Sequence, residues 1–155
     1  MTLGARTHHA GFSLIELLLA LTIAGLVMAA AVPATRVMYS AMQYQSALQD
    51  ITTLLGDARL KAISKGRAQD VLINPEKREL RSGDKTLRLP SSIKVTVESA
   101  RQLNRDDAGV IRFYPQGDSS GGTIALRRAG GAGANIVVDW LLGNVRVQTH
   151  DEQAS

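Results

Sequence analysis

The sequence predicts an α+β protein in which a long N-terminal α-helix packs on antiparallel β-sheet. Residues 12–32 are nearly all apolar, and apolar residues then recur at alternating spacings of four and three as far as Ala62. Beyond Gly66 the pattern changes to short alternating runs separated by turn residues. A helical period followed by a period of two indicates one helix and then a sheet.

Composition excludes several classes of function. The 155-residue chain has no cysteine, so disulfides, cysteine-ligated zinc and thiol catalysis are excluded. Its net charge is +4, but basic and acidic residues are interspersed and aromatic residues are only 4% of the chain. A nucleic-acid groove usually combines a basic stripe with stacking aromatics, so the pattern favours an ordinary solvated surface.

The apolar run is long enough to cross a bilayer. As a helix, residues 12–32 would span roughly 30 Å, about the thickness of a hydrocarbon core. A membrane helix and a cleaved secretory signal are both compatible with that length, and cleavage after Ala31 would leave Val32 first. An acid at Glu16 and the continuing helical pattern favour a retained helix.

The helix is predicted from about Ser13 to Lys65. Lys65 suits a helix C-terminus and Gly66 the position just beyond it. Pro33 removes one backbone donor and is expected to kink or loosen the helix. The second half is amphipathic, with one apolar face made of Val37, Ala41, Tyr44, Leu48, Ile51, Leu55, Ala58 and Ala62.

The residues before the run carry a topological signal. Residues 1–11 contain Arg6, His8 and His9 and no acid. Positive charge favours the cytoplasmic side, so we expect the N-terminus in the cytoplasm and the C-terminal part exported.

The sequence beyond Gly66 predicts a series of short strands. Alternation is clearest in "SIKVTVE" and "VRVQT", and turn residues such as Asn74-Pro75 and Gly143-Asn144 separate the runs. Residues 99–109 are expected to form an exposed loop, and 129–134, "AGGAGA", a flexible connection. Strands are predicted at 69–74, 78–82, 86–89, 92–98, 110–114, 123–128, 135–140 and 145–149.

The segment "GFSLIELLLALTIAGLVMAAAVP" resembles the N-terminus of type IV pilins and type II secretion pseudopilins. The resemblance implies that a prepilin peptidase cuts between Gly11 and Phe12 and methylates the new N-terminus at Phe12. Glu16 then becomes the fifth residue and matches the acid of that family, and Pro33 matches a proline common in its long helix.

A physical argument supports a role for Glu16. A charge near a bilayer centre costs about 2.5–3.5 kcal/mol on insertion scales, so it usually has a partner. Cleavage before Phe12 creates an α-amino group with a reference pKa of about 7.7–8.0. In a staggered bundle, Glu16 of one subunit can meet that amine on its neighbour, which fixes the register. The alternative is that Glu16 reaches the headgroups without a partner.

Two later stretches, "VIRFYPQGDSSGGTIAL" and "NIVVDWLLGNVRV", resemble the C-terminal half of GspH-type minor pseudopilins and the related FimT/FimU minor pilins. The expected fold is therefore pilin-like. Within it, the residues expected in the core are Phe113, Ile124, Val138, Trp140 and Val145. The residues expected to set turn geometry are Pro115, Gly117, Gly121, Gly122 and Gly143.

This resemblance implies a structural subunit at the tip of a periplasmic pseudopilus, in a single-pass protein of the bacterial inner membrane. Its partners would be the prepilin peptidase, the other minor pseudopilins, the major pseudopilin and the inner-membrane assembly platform. No catalysis, metal or cofactor is expected. The chain would divide into a cleaved leader, 1–11, a transmembrane and assembly half-helix, 12–33, an amphipathic half-helix, 34–66, a periplasmic β-rich domain, 67–149, and a polar tail, 150–155.

The alternative is a FimT/FimU-like minor pilin of a type IV pilus that binds DNA during uptake. Arg127, Arg128 and Arg146 could bind the phosphates. Asn144 stands where a Gly-Arg-x-Arg pattern would put arginine, which weakens this interpretation. A third class, a periplasmic binding protein released from its signal, would begin at Val32.

Enzyme and metal motifs are weak. "GDSSGG" at 117–122 is similar to the segment around a protease serine, but His8 and His9 lie in the leader and His150 in the tail, so no base is at hand. "NRDDAG" is too sparse for a calcium loop. "AGGAGA" lacks the Lys-Ser/Thr of a phosphate loop.

Overall fold

A computed structural model describes residues 13–99, 108–128 and 133–150, without the side chains of residues 30–37. The chain divides into two compact units, Met1–Tyr39 and Ser40–Ser155. Helix α1, Leu14–Lys65, supplies residues to both. The predicted helix is thus confirmed within one residue at each end. The backbone is helical at position 33, and the kink predicted at Pro33 stays a prediction.

The C-terminal half of α1 buries the predicted apolar face in the second unit. Its buried residues are Tyr44, Ala47, Leu48, Ile51, Leu54, Leu55, Ala58 and Ala62. Ala41 is half-buried, and the side chain of Val37 lies outside the described part. The remaining six predicted members of this face are confirmed in the core.

Gly66 ends the helix as predicted. It takes a left-handed φ of 60°, which costs glycine little. The amide of Arg67 donates to the Ala62 carbonyl at 3.3 Å, and the amide of Gly66 donates to the Ile63 carbonyl at 3.4 Å. This is the Schellman arrangement, and it satisfies carbonyls that the end of the helix leaves without partners.

In the described residues, eight strands follow the helix and form two antiparallel sheets. One sheet has the order β3-β2-β1-β5 and the other β4-β6-β7-β8. The strands are β1 Gln69–Asn74, β2 Glu79–Ser82, β3 Lys85–Arg88, β4 Ile93–Ser99, β5 Gly109–Phe113, β6 Gly122–Arg128, β7 Gly133–Val138 and β8 Val145–His150. Buried side chains of α1 and of both sheets form one continuous core.

Most strand ends lie within one residue of the prediction, and β2 shows why one of them shifts. Strand β2 begins at Glu79 because Arg78 takes a left-handed φ of 50°. The Arg78 amide donates to the Pro75 carbonyl at 3.3 Å, and the side chain of Asn74 accepts from the Lys77 amide at 2.8 Å. Arg78 therefore closes the turn instead of opening the strand.

The prediction of a flexible connection at 129–134 is wrong for its last two residues. Gly133 and Ala134 belong to β7, where they pair with Arg127 and Leu126 of β6. Pairing on both sides overrides the weak strand propensity of glycine and alanine. Residues 129–132 lie outside the described part. So do residues 100–107, which make up most of the predicted exposed loop 99–109 and of the "NRDDAG" segment compared with a calcium loop. At its ends the loop prediction is wrong, because Ser99 belongs to β4 and Gly109 is a buried residue of β5.

At the C-terminal edge of the second sheet, His150 is the last residue of β8 rather than the first of the tail. It pairs with Gly133 of β7, which extends the ladder by one residue beyond the prediction.

The prediction that Trp140 is a core residue is wrong. Its side chain is 67% exposed, whereas Phe113, Ile124 and Val138 are buried as predicted and Val145 is half-buried. Strand β7 ends at Val138, and Asp139 starts a turn instead of continuing the alternation. Trp140 therefore lies in a turn, where the inward position that the strand pattern implied does not exist.

Candidate assembly surfaces

Glu16 lies in the first turn of α1 and its side chain is exposed. Its amide donates to the Ser13 carbonyl at 3.0 Å. A carboxylate in the first turn interacts favourably with the positive end of the helix dipole. Between residues 12 and 32 it is the only charged side chain in the sequence. The side chain is thus available to a cationic partner outside this chain's own helix.

The apolar residues around Glu16 are also exposed on every side of the helix. Each of the large ones is at least 54% exposed: Leu14, Ile15, Leu17, Leu18, Leu19, Leu21, Ile23, Leu26, Val27 and Met28. Among the residues described, no helix is both long and apolar enough to span a membrane.

The structure describes only part of the predicted processing site. Gly11 and Phe12 lie outside the described residues, so their roles stay predictions. For Pro33 the helical backbone is described and the side chain is not.

In the second unit, α1 carries an exposed face without charge on the side opposite the core. Met42, Leu60 and Ile63 are 62%, 65% and 45% exposed. The exposed residues of this face are Met42, Gln45, Gln49, Thr53, Gly56, Leu60 and Ile63. We call it the uncharged helix face. Such a face can pack against another helix with little desolvation cost, because it holds no ion that must leave water.

Near the C-terminal end of α1, the Arg59 side chain joins the helix to two loops. Its Nε donates to the Gly117 carbonyl at 3.0 Å. A Cβ built at Gly117 would lie 3.5 Å from Ile63, and one built at Gly143 would lie 3.0 Å from the Arg59 Nε. Gly117 and Gly143 have left-handed φ values of 94° and 61°. Their predicted role in turn geometry is confirmed.

The turn between β7 and β8 is held by Asp139. One carboxylate oxygen, Oδ1, accepts from the amides of Leu141 and Leu142, each at 2.9 Å. The Gly143 amide donates to the Asp139 carbonyl at 2.9 Å, which closes the turn. The result is a fixed loop that displays Trp140, Leu141 and Leu142 at 67%, 60% and 57% exposure.

Trp140 also borders an open cleft of about 560 Å³ at the end of the second sheet. Glu98 and Thr123 line it from β4 and β6, and Val137 lines it from β7. In the residues described, no cluster of three or more His, Asp or Glu side chains has a metal-binding arrangement.

The three arginines of the DNA-binding alternative do not form one patch. Arg127 and Arg146 share the outer face of the second sheet, but they lie opposite Gly133 and Val137, about 13 Å apart along β7. Arg128 points to the other face, since it alternates with Arg127. Arg146 lies 3.5 Å from the Asp139 carboxylate.

The "GDSSGG" segment has a structural role. The Ser119 hydroxyl donates to the Asp139 carbonyl at 2.9 Å and accepts from the Gly121 amide at 3.0 Å. The Ser120 hydroxyl accepts from the Arg112 amide at 3.0 Å. The two hydroxyls therefore satisfy backbone groups of β5, of the β5–β6 connection and of the β7–β8 turn.

The sequence predicts the turn at Gly143-Asn144, but not its start at Asp139, the exposure of Trp140 or the Arg59 contact. The sequence does contain a signal for the start of this turn. Asp139 stands where a helix has its N-cap residue, Gly143 stands where a helix has its left-handed C-terminal glycine, and three residues lie between them. The Arg59 contact joins residues 58 positions apart and has no local signal.

Comparisons with known proteins agree with the fold and the N-terminal motif. Residues 6–32 match the family described as the prokaryotic N-terminal methylation motif. The chain is 34% identical over 143 residues to the type II secretion system protein H of Xanthomonas campestris pv. campestris, covering 91% of this chain and 84% of that protein.

Solved structures with a similar fold include the minor pseudopilin EpsH from the type 2 secretion system of Vibrio cholerae. It aligns with a TM-score of 0.55 at 16% identity, over 68% of this chain and 95% of EpsH. The type IV minor pilin FimU of Pseudomonas aeruginosa aligns with a TM-score of 0.50 at 17% identity, over 69% of this chain and 92% of FimU.

The helix packed on antiparallel sheets and the N-terminal methylation motif together define a protein of the pilin-like class. The relationship over nine-tenths of the sequence is more specific. The chain belongs to the type II secretion system protein H family.

Proposed function

We propose that this chain is a minor pseudopilin, a structural subunit at the tip of the type II secretion pseudopilus that supports export of folded proteins across the outer membrane. The observation that carries the proposal is the 34% identity to a type II secretion system protein H over 91% of the chain. The subunit performs no chemistry itself; it acts through the surfaces it offers to neighbouring subunits.

The N-terminal segment has two successive roles in this proposal. Before assembly, residues 12–33 anchor the chain in the inner membrane, with the leader in the cytoplasm and the second unit in the periplasm. Prepilin peptidase then cuts between Gly11 and Phe12 and methylates Phe12. The match of residues 6–32 to the methylation motif supports this step.

After cleavage, Glu16 pairs with the α-amino group of Phe12 on a neighbouring subunit. Support comes from the exposure of Glu16 on an otherwise apolar helix and from the absence of another charge between residues 12 and 32. Burying both charges together is favourable only in the register that brings them into contact. The uncharged helix face, from Met42 to Ile63, provides a second surface for packing against the helices of other subunits.

The mature N-terminus tests the proposal. The full chain, produced in a bacterium with its prepilin peptidase, is purified from membranes, and its N-terminal peptide is analysed by mass spectrometry. We expect N-methylated Phe12 as the first residue. An unprocessed Met1, or a start at Val32, would contradict the proposal.

A variant separates processing from folding. Gly11→Leu should leave the second unit folded and the leader uncut, because position 11 belongs to the first unit and the substitution alters only the residue before the cut. Glu16→Gln serves as the matched control, which should still be cut after Gly11. Equal processing of the wild type and both variants would show that cleavage does not depend on Gly11.

A further inference from the structure

Five large apolar side chains are exposed on the two segments that meet at Arg59, the end of α1 and the β7–β8 turn, and the proposed assembly surfaces do not account for all of them. Leu60 and Ile63 lie on α1 and end the uncharged helix face. The other three are Trp140, Leu141 and Leu142 of the β7–β8 turn. The Arg59 contacts with Gly117 and Gly143 bring the turn beside this part of the helix. We call these five side chains with Arg59 the turn patch.

The turn is fixed in shape although its side chains contribute little to the core. Two backbone hydrogen bonds add to those that the Asp139 carboxylate accepts. The Ser119 amide donates to the Trp140 carbonyl at 2.9 Å, and the Asp139 amide donates to the Asn144 carbonyl at 2.9 Å. A surface held in place before binding loses little conformational entropy when it binds. Trp and Arg, both present in the patch, are also residue types enriched in binding hot spots.

Arg59 specifies the chemistry of the partner. Among the described residues its guanidinium donates to a carbonyl and faces no carboxylate within ion-pair distance. An apolar partner surface that brings one carboxylate to Arg59 would complement both the charge and the apolar side chains.

The position of the patch favours a protein partner over a lipid surface. The chain enters the second unit at Ser40, and Arg59 lies roughly 30 Å further along α1. The patch is thus remote from the residue through which the proposed anchor joins the unit. It also shares Leu60 and Ile63 with the uncharged helix face.

We propose that the turn patch is the docking surface for the next pilin-like subunit of the pseudopilus, which meets it with an apolar surface bearing a carboxylate. The inference rests on the proposed function, because it assumes a filament of such subunits. It adds the surface, the contact residues and the chemistry of the neighbour.

Site-specific photo-crosslinking of the full chain in secreting cells tests the proposal. A benzophenone amino acid replaces Leu142 in the patch, Met42 on the uncharged helix face, or Thr96, which is exposed on β4. We expect position 142 to crosslink to another subunit with an N-terminal methylation motif, at an apolar site containing Asp or Glu. Thr96 should give no such product. Adding Trp140→Ser and Leu141→Ser should lower the yield at 142 about tenfold or more, as expected for loss of a hot spot.

A comparison of Met42, on the helix, with Leu142, in the turn, distinguishes the failures. Crosslinks to such a subunit from Met42 but not from Leu142 would overturn the docking surface and leave the proposed function standing. Crosslinks from neither position would count against the proposed function as well. A Leu142 product with lipid only, with a second copy only, or equal to that at Thr96 would also overturn the inference. The exposed Trp140 is the single Trp of the chain, so a blue shift of its emission on assembly gives an independent readout.

Discussion

Arg112 and Asp70 form a two-pronged ion pair across the β1–β5 ladder. The Nε and Nη2 of Arg112 donate to the two carboxylate oxygens at 2.6 and 2.8 Å. The residues are register partners in the two strands, and their side chains are only 28% and 24% exposed. The hydrogen bond to Asp70 raises the pKa of the Arg112 guanidinium above its ordinary value. The pair therefore fixes the alignment of β5 on β1 at the entrance to the loop that holds Ser119.

Asp70→Ala should lower the free energy of unfolding by about 1–2 kcal/mol, because it leaves the half-buried guanidinium without its carboxylate. Urea unfolding of the purified full chain measures the change. The matched control is Glu79→Ala, which breaks a longer contact, 3.4 Å, with an Arg88 side chain that is 82% exposed. The control should lose less than about 0.5 kcal/mol. Equal losses in the two variants would show that the Arg112 pair does not hold the strands.

Tyr44→Phe should leave the stability unchanged or raise it slightly. The phenol oxygen is buried and has no hydrogen-bond partner among the described residues, so removing it deletes an unsatisfied polar group and keeps the ring. Tyr44→Ala, by contrast, should cost about 3 kcal/mol or more through the cavity it creates. Thermal unfolding of the two variants gives the comparison, and a large loss in Tyr44→Phe would show that the hydroxyl has a partner.

The same residue predicts a dependence on alkaline pH. Burial raises the pKa of Tyr44, and attraction to Arg128 opposes that shift. A tyrosine whose pKa is higher in the folded than in the unfolded state adds to the free energy of unfolding at pH values below its unfolded-state pKa. This contribution is lost as the pH rises through its folded-state pKa. Wild type should therefore lose stability above about pH 10 more steeply than Tyr44→Phe. Identical profiles would contradict this assignment.

Local signals explain how much of the fold the sequence predicts. The helix and the strands were found within one or two residues because their periods and turn residues are local features. The pairing of Asp70 with Arg112 was not predicted, since their contact depends on a strand order that brings together residues 42 positions apart. Trp140 was misplaced because the alternation of β7 continues in the sequence after the Asp139 carboxylate has ended the strand.

The same distinction applies to the candidate site. Gly11, Phe12 and Glu16 are predicted from a linear motif, which needs no tertiary structure to be recognised. The turn patch cannot be recognised without tertiary structure, because the β7–β8 turn meets Arg59 through Gly117 and Gly143, which are distant from Arg59 in the sequence.

Gly143→Ala should destabilise the second unit by about 2–3 kcal/mol. The residue has a φ of 61°, and an added Cβ would collide with the Gly117 carbonyl oxygen and crowd the Arg59 side chain. Gly83→Ala is the control, because its φ is 57° but nothing lies within 4 Å of the added Cβ. It should lose only about 1 kcal/mol, the conformational cost alone. The difference between the two unfolding free energies measures the close contact at Gly143, and equal losses would exclude it.

The Asp57–Lys85 pair predicts a small effect at acid pH. The hydrogen bond from Lys85, at 2.6 Å, lowers the pKa of the exposed Asp57 carboxyl, and attraction to Lys85 adds to the shift. A carboxyl group whose pKa is lower in the folded than in the unfolded state adds to the free energy of unfolding at pH values above its unfolded-state pKa. This contribution is lost as the pH falls through its folded-state pKa. The unfolding temperature of Asp57→Asn should be slightly below that of wild type at pH 7, and the gap should close below about pH 4. In a Lys85→Gln background the pH-dependent effect of Asp57→Asn should shrink to the smaller part that attraction to Lys61 contributes.

Glu16→Ala should separate processing from assembly. The substitution removes the single charge of the apolar run and leaves Gly11 and Phe12 in place, so insertion and cleavage should continue. The α-amino group of a neighbour then has no carboxylate in the apolar bundle, and the correct register loses its advantage over others. We expect methylated Phe12 in the membrane fraction and a loss of co-purification with other pseudopilins. Glu16→Asp keeps the charge on a shorter side chain and should retain part of the assembly. Normal secretion and co-purification in Glu16→Ala would contradict the pairing, whereas loss of cleavage would instead place Glu16 in peptidase recognition.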